Sequence, residues 1–163
     1  MKKTATVERE LGTVIITGSS GRIGSAFIDR IGESFIEMGF DREGPPHPPP
    51  STEHVIDCDL SSDRSVRAAL DKVRGLGHTR ISSVIHLAAY YSFSGEPSPW
   101  YDHVSVRGTA RLLHGLRDFE VEQFIFSSTM LVHAPCRPGQ RINEDWPLKP
   151  KWDYPKSKVA TEQ

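Results

Sequence analysis

Apolar residues fall in short β-branched runs, separated by stretches where they recur every three or four positions. GTVIITG (12–18) is a continuous apolar run closed by glycine and predicts a buried strand. FIEMGFD (35–41), HVIDCD (54–59), ISSVIHLAA (81–89) and QFIFSS (123–128) predict four more. After the first run, Ile23, Phe27 and Ile31 lie at helical spacing and predict a helix entered by a turn. Residues 62–76 read as an amphipathic helix, 97–119 contain a long one, and another starts near Tyr154. Strands alternating with helices predict an α/β chain with a parallel sheet covered on both faces. Two stretches break the alternation. Residues 42–52 are proline-rich and read as a stiff surface loop, with contact to an SH3-like partner as the alternative. Residues 129–152 form a long loop rich in proline and charge.

Length and composition narrow this picture. The 163 residues suffice for one domain with a core, and 37% hydrophobic with 25% charged residues is a soluble profile. A formal net charge of −1 gives no general attraction to nucleic acid or to an anionic membrane. No apolar run reaches the ~18 residues of a membrane span. The N-terminus lacks the apolar stretch of a signal peptide. Cys58 and Cys136 are far apart without CxxC spacing, so free thiols and a cytoplasmic location are expected. The seven histidines show no paired metal spacing, and no metal site is predicted. His86 ends a strand and is read as a hydrogen-bonded core residue. His133 is read as an ordinary loop residue. Trp100, Trp146 and Trp152 are expected to cover the core, with substrate contact as the alternative.

Chemistry enters at TGSSGRIG. Gly18 lets the chain turn off its strand, Gly21 lets backbone approach a pyrophosphate, and Gly24 lets the helix lie close to the sheet. The helix N-terminus then offers N–H groups and a partial positive charge to phosphates. This turn makes the fold a Rossmann-type doubly wound sheet of about five strands, order 3-2-1-4-5. Asp41 ends the second strand, where an acid meets the adenosine ribose hydroxyls. An acid there repels a 2′-phosphate and favours NAD over NADP; the adjacent Arg42 offsets this, so NADP stays open. Near the other end, Tyr154 and Lys158 stand four apart in YPKSK, one helical turn from each other. Pro155 suits a first helical turn and pushes Tyr154 toward extended backbone at the helix mouth. A nearby ammonium favours the phenolate a general base requires.

TGSSGRIG, Asp59-Leu60, HLAA (86–89), RGT (107–109), FIFSST (124–129) and YPKSK (154–158) occur in order. Together they resemble the extended short-chain dehydrogenase/reductases, the NAD-dependent epimerase/dehydratase group that includes UDP-galactose epimerase. The resemblance runs from about residue 12 to 163. It implies that Gly18, Gly21 and Gly24, with backbone from Ser20 through Arg22 to Ile23, hold the pyrophosphate. It implies that Asp59 and Leu60 touch the adenine and that Leu87, Ala88 and Ala89 line the cofactor. It further implies that Thr129, Tyr154 and Lys158 are catalytic, with Lys158 also binding the nicotinamide ribose. Ser105 stands where the family usually has asparagine; it can still form a hydrogen bond beside the cofactor.

The implied activity is hydride transfer between NAD and a nucleotide sugar or related hydroxyl compound, with Tyr154 as base and acid. A homodimer is implied through the helices at 97–119 and 154 onward. Members of the group are about twice this long, so the chain is expected to be one domain, 1–163, incomplete before a C-terminal substrate domain. A non-catalytic dinucleotide-binding module, or an inactive fragment acting through protein contacts, are the competing readings.

Overall fold

The computed structural model describes residues 11–42 and 55–163. The proline-rich loop at 42–52, apart from Arg42, and His54 of the third predicted strand lie outside them. β1 (Gly12–Thr17) is buried along almost its whole length. It pairs in parallel with β2 (Phe35–Asp41) and with β4 (Arg80–His86). β3 (Val55–Asp57) adds outside β2. Two short segments, β5 (Glu120–Val121) and β6 (Phe124–Phe126), pair with β4 on its other side. Arg80 faces Glu120 and His86 faces Phe126 at the same sequence offset. Glu122 N–H donates to the Ile81 carbonyl and Val84 N–H to the Gln123 carbonyl, both at 2.9 Å. The two segments are therefore one edge strand in the fifth position, and the order 3-2-1-4-5 holds.

The helices cover the sheet unequally. α2 (Asp63–Gly75) starts at Ser62, whose side chain accepts from Ser65 N–H. It buries Val66, Ala69, Leu70 and Val73 against Ile15, Met38, Phe40 and Ile56. α3 (Arg107–Leu116) adds Leu112 and Leu116 to the same cluster. α1 (Arg22–Ile31) packs on the opposite face with Ile28, and Phe27 and Ile31 half-buried, over Val14, Ile16 and Ile85. Ile23, read from spacing as part of that apolar face, is 68% exposed. Gly24 takes its place against the sheet, because the first turn must lie closest to the strand it leaves.

Two predicted elements differ in detail. The helix of 97–119 opens with a π-helical turn, Tyr101–Val106, before α3. α4 (Asp153–Glu162) already includes Tyr154, so that residue is helical rather than extended. Pro155 sits in the first turn, where its missing N–H costs no hydrogen bond, and the expected distortion does not occur.

Candidate active site at the strand ends

The carboxyl ends of β1, β2, β3 and β4 open into a cleft of about 710 Å³. Its floor is the glycine turn. Gly18 has φ +70°, a left-handed conformation that a side chain strains. A Cβ on Gly24 would collide with the Gly18 carbonyl and stand 2.8 Å from Ser19 Cα. Gly21 caps α1, and Ser25 closes the turn by donating both N–H and Oγ–H to the Gly21 carbonyl at 2.9 Å. The α1 N–H groups of Arg22, Ile23 and Gly24 then belong to the first turn, which has no intrahelical acceptor. Ser19 Oγ in this loop is buried without a hydrogen-bond partner among the described residues. A close backbone cradle at a helix N-terminus, beside an unsatisfied buried hydroxyl, fits a pyrophosphate.

Asp41 stands beside the cradle. Its Oδ2 accepts from Ser20 N–H and its Oδ1 from Arg42 N–H, each at 2.8 Å. The carboxylate is thus fixed in the cleft wall together with Arg42. Asp59 and Leu60 enter from the loop after β3, and Leu87, Ala88 and Ala89 from the end of β4. Cys58 lies among these carboxylates; burial first, then Asp57, Asp59 and Asp41, push its thiol up to about 12, so it is inert. Gly18, Ser20, Gly21, Asp41, Arg42, Asp59, Leu60 and residues 87–89 share one cleft, whereas Arg22, Ile23 and Gly24 flank it on α1.

At the other end of the cleft the wall is aromatic. Tyr90, Tyr91 and Trp100 line it. Tyr91 meets Tyr154 edge to face, ring centres 4.9 Å apart, and Tyr101 lies 6.4 Å from Tyr154. Lys158 is buried, donates to the Ser127 carbonyl at 2.7 Å, and stands 5.8 Å from the Tyr154 ring centre. Burial lowers its ammonium to about 8, against a small opposing pull from Glu162. Tyr154 differs from expectation: its pKa is raised, by burial first and then by Tyr91 and Tyr101. The Lys158 ammonium is turned toward a carbonyl, and burial dominates the Tyr154 shift. Thr129 begins the 3₁₀ turn Met130–Val132, which packs against α4, and its Oγ accepts from Leu131 N–H at 3.3 Å. Thr129 caps the turn that packs on the helix carrying Tyr154 and Lys158.

Sequence spacing did not reveal what locks the two ends together. His86 is fully buried. Thr109 Oγ1 donates to the Ser105 carbonyl at 2.6 Å and so accepts from His86 Nε2–H at 2.8 Å. The bare His86 Nδ1 accepts from Thr17 Oγ1 at 2.6 Å, and that oxygen accepts from Ala88 N–H at 3.1 Å. One tautomer satisfies the whole chain. Burial and Lys158 hold His86 near 4, so it stays neutral. Ser105, in the π-helical turn, accepts from Tyr90 N–H at 3.1 Å and so steadies the cleft-lining segment after β4. His133 is more than a loop residue: Nδ1 bonds the Trp146 carbonyl at 2.9 Å, and the residue bridges Leu148 in an antiparallel contact. Trp146 donates to the Ala134 carbonyl, but Trp100 and Trp152 are 49% and 42% exposed and do not seal the core. Among the described residues no His, Cys, Asp and Glu cluster could hold a metal.

Comparison with known proteins gives a consistent picture. The sequence model of the NAD dependent epimerase/dehydratase family matches residues 14–163. The NAD-dependent glucose-6-phosphate dehydrogenase of Haloferax volcanii is 33% identical over 71% of this chain and 42% of its own length. A 3-beta-hydroxysteroid dehydrogenase of Mycolicibacterium neoaurum is 26% identical over 97% of this chain and 43% of its own. The solved UDP-glucose 4-epimerase of Thermus thermophilus, a complex with NAD, superposes with a TM-score of 0.68 at 30% identity, covering 92% of this chain and 48% of that one. The chain spans less than half the length of these relatives.

Proposed function

The chain belongs to the NAD-dependent epimerase/dehydratase family, and from that premise we propose that it carries the cofactor-binding and proton-transfer half of an NAD-dependent enzyme acting on a secondary hydroxyl, with a nucleotide sugar as substrate class. One observation carries the reading. The glycine cradle and Asp41 line the strand-end cleft, and the Tyr154–Lys158 pair adjoins it through Tyr91, which lines the cleft and meets the Tyr154 ring.

Gly18 to Gly24 hold the pyrophosphate, Asp41 the adenosine ribose, and Leu87 to Ala89 the face of the cofactor. When bound, NAD supplies the hydride acceptor and a positive ring that favours the Tyr154 phenolate. Tyr154 Oη takes the hydroxyl proton as hydride leaves the same carbon, and returns it in the reverse step. Burial opposes its ionisation, so Lys158 must keep its proton to support it. The Thr129 hydroxyl orients the substrate oxygen. NAD is preferred to NADP because Asp41 is fixed at the ribose position.

Tyr91 and Trp100 form the substrate side of the cleft. Two copies pair through α3, whose Leu113 is 44% exposed, and α4. Two free thiols support a cytoplasmic location, and no helix among the described residues is long and apolar enough to cross a membrane.

The test is calorimetric titration with NAD and NADP, followed by NADH absorbance with UDP-glucose in wild type and Tyr154→Phe. Saturable NAD binding is expected in both, within about threefold, with turnover lost in the variant. Equal turnover removes Tyr154 as the base. Binding without turnover in either supports the second reading, a non-catalytic dinucleotide module.

A further inference from the structure

The loop after β3 brings Asp59 and Leu60 to the cleft, yet the side chain that ties its backbone to α3 comes from Arg111, 51 residues beyond Leu60. Arg111, on α3, is largely buried, with 19% of its side chain exposed. Its Nη1 donates to the Leu60 carbonyl at 3.2 Å and to the His103 carbonyl at 3.1 Å. Its Nε donates to Asp63 Oδ1 at 2.9 Å. One guanidinium thus joins α3, the π-helical turn and both sides of the Leu60 loop. Gly108, one turn earlier, brings the same loop in: a Cβ there would stand 2.9 Å from Leu60 Cβ and 3.0 Å from its carbonyl oxygen. The loop's other bonds run within it and to α2. Ser61 N–H and Oγ–H both donate to Asp59 Oδ1 at 2.8 Å, and Asp59 N–H donates to Ser65 Oγ at 2.9 Å. They shape the loop without anchoring it to α3.

We propose that Arg111 is a positioning residue for the adenine end of the cleft. By clamping the Leu60 carbonyl it sets the Leu60 side chain and the Asp59 carboxylate against the adenosine half of the dinucleotide. The inference rests on the cofactor reading above. The Asp63 arm is 71% exposed on the acid's side and contributes little; of the two charge-assisted carbonyl bonds, the part-buried one to Leu60 carries the effect, and the one to His103 is exposed. Lysine cannot replace the group, because a single ammonium cannot span two carbonyls and a carboxylate in the fork geometry of a guanidinium.

The test separates the halves of the cofactor. Wild type, Arg111→Met and Arg111→Lys are first melted to confirm folding. NAD is then titrated by calorimetry, and nicotinamide mononucleotide, which has no adenosine, by NMR. NAD affinity is expected to fall roughly tenfold in Arg111→Met, the scale of losing buried bonds from a charged donor, while the mononucleotide changes by less than about twofold. Arg111→Lys should recover little, and carries the same comparison if the methionine variant does not fold. Unchanged NAD affinity in a folded variant overturns the proposal, and so does an equal loss for both ligands, which marks a general packing role. If wild type binds no NAD, the cofactor reading falls and this inference with it.

Discussion

At the glycine end of the cleft, backbone packs against backbone, whereas the tyrosine end is assembled from side chains of α4, the π-helical turn and the segment after β4. Gly18, Gly21 and Gly24 have no Cβ, and what they touch is main chain. Asp41 is held by two N–H groups at 2.8 Å. The opposite end rests on ring contacts among Tyr91, Tyr101 and Tyr154, and on one buried ammonium. Phe93 beside it is 94% exposed. The first kind of site admits no substitution without moving the chain. The second can be re-tuned by changing a ring or a charge while the fold survives. A cofactor end that must meet the same pyrophosphate each time suits the first construction, and an end that meets a particular substrate suits the second.

The largest effect should come from breaking the backbone end. Gly24→Val places methyl groups inside the Gly18–Ser19 backbone and should cost about 3 kcal/mol of stability. Urea denaturation should show an earlier midpoint, and NAD binding should disappear. A stable variant that still binds NAD would mean that the turn has room the geometry denies. A smaller loss is expected from Asp41→Ala, which removes the clamp on Ser20 and Arg42 without adding bulk. The preference for NAD over NADP should shrink about tenfold, the scale of one charge-assisted hydrogen bond. Paired calorimetric titrations measure it, and an unchanged ratio would assign cofactor choice elsewhere.

The smallest effect tests the side-chain end. Folding lowers Lys158 to about 8, below the ~10.4 of an unfolded lysine. Between those values the unfolded chain binds more protons, so stability rises with pH there. This contribution is complete above the unfolded value and lost as pH falls through about 8. Tyr154 shifts upward and is common to both proteins compared, so it cancels to first order. The melting temperature of wild type, relative to Lys158→Met, should therefore rise by a few degrees from about pH 7.5 to about pH 10. Parallel curves would show that the ammonium carries no burial cost.

Much of the backbone end was legible in the linear sequence, because its causes are local. A β-branched run, glycines at short spacing and an acid at the end of the next strand require only neighbours to form. Ile23 is the instructive miss there. Helical spacing grouped it with Phe27 and Ile31, but the first turn of α1 meets the sheet through Gly24 and leaves Ile23 exposed. The side-chain end was legible only as a pair, Tyr154 and Lys158. Its rings come from the segment after β4 and from the π-helical turn, and burial first, then those two tyrosines, raises Tyr154 where a lower pKa was expected. Nothing in YPKSK announces Tyr91 or Tyr101.

By itself the sequence determined the alternation of strands and helices, the strand order around the glycine turn, and the residue types able to hold a dinucleotide. These follow from periodicity and from sterics within a few residues. The tertiary structure alone decided the tautomer of His86, the state of Lys158, and the anchoring of Leu60 by Arg111. Each depends on burial and on partners tens of residues away, and hydrogen bonds with desolvation act through space, not along the chain.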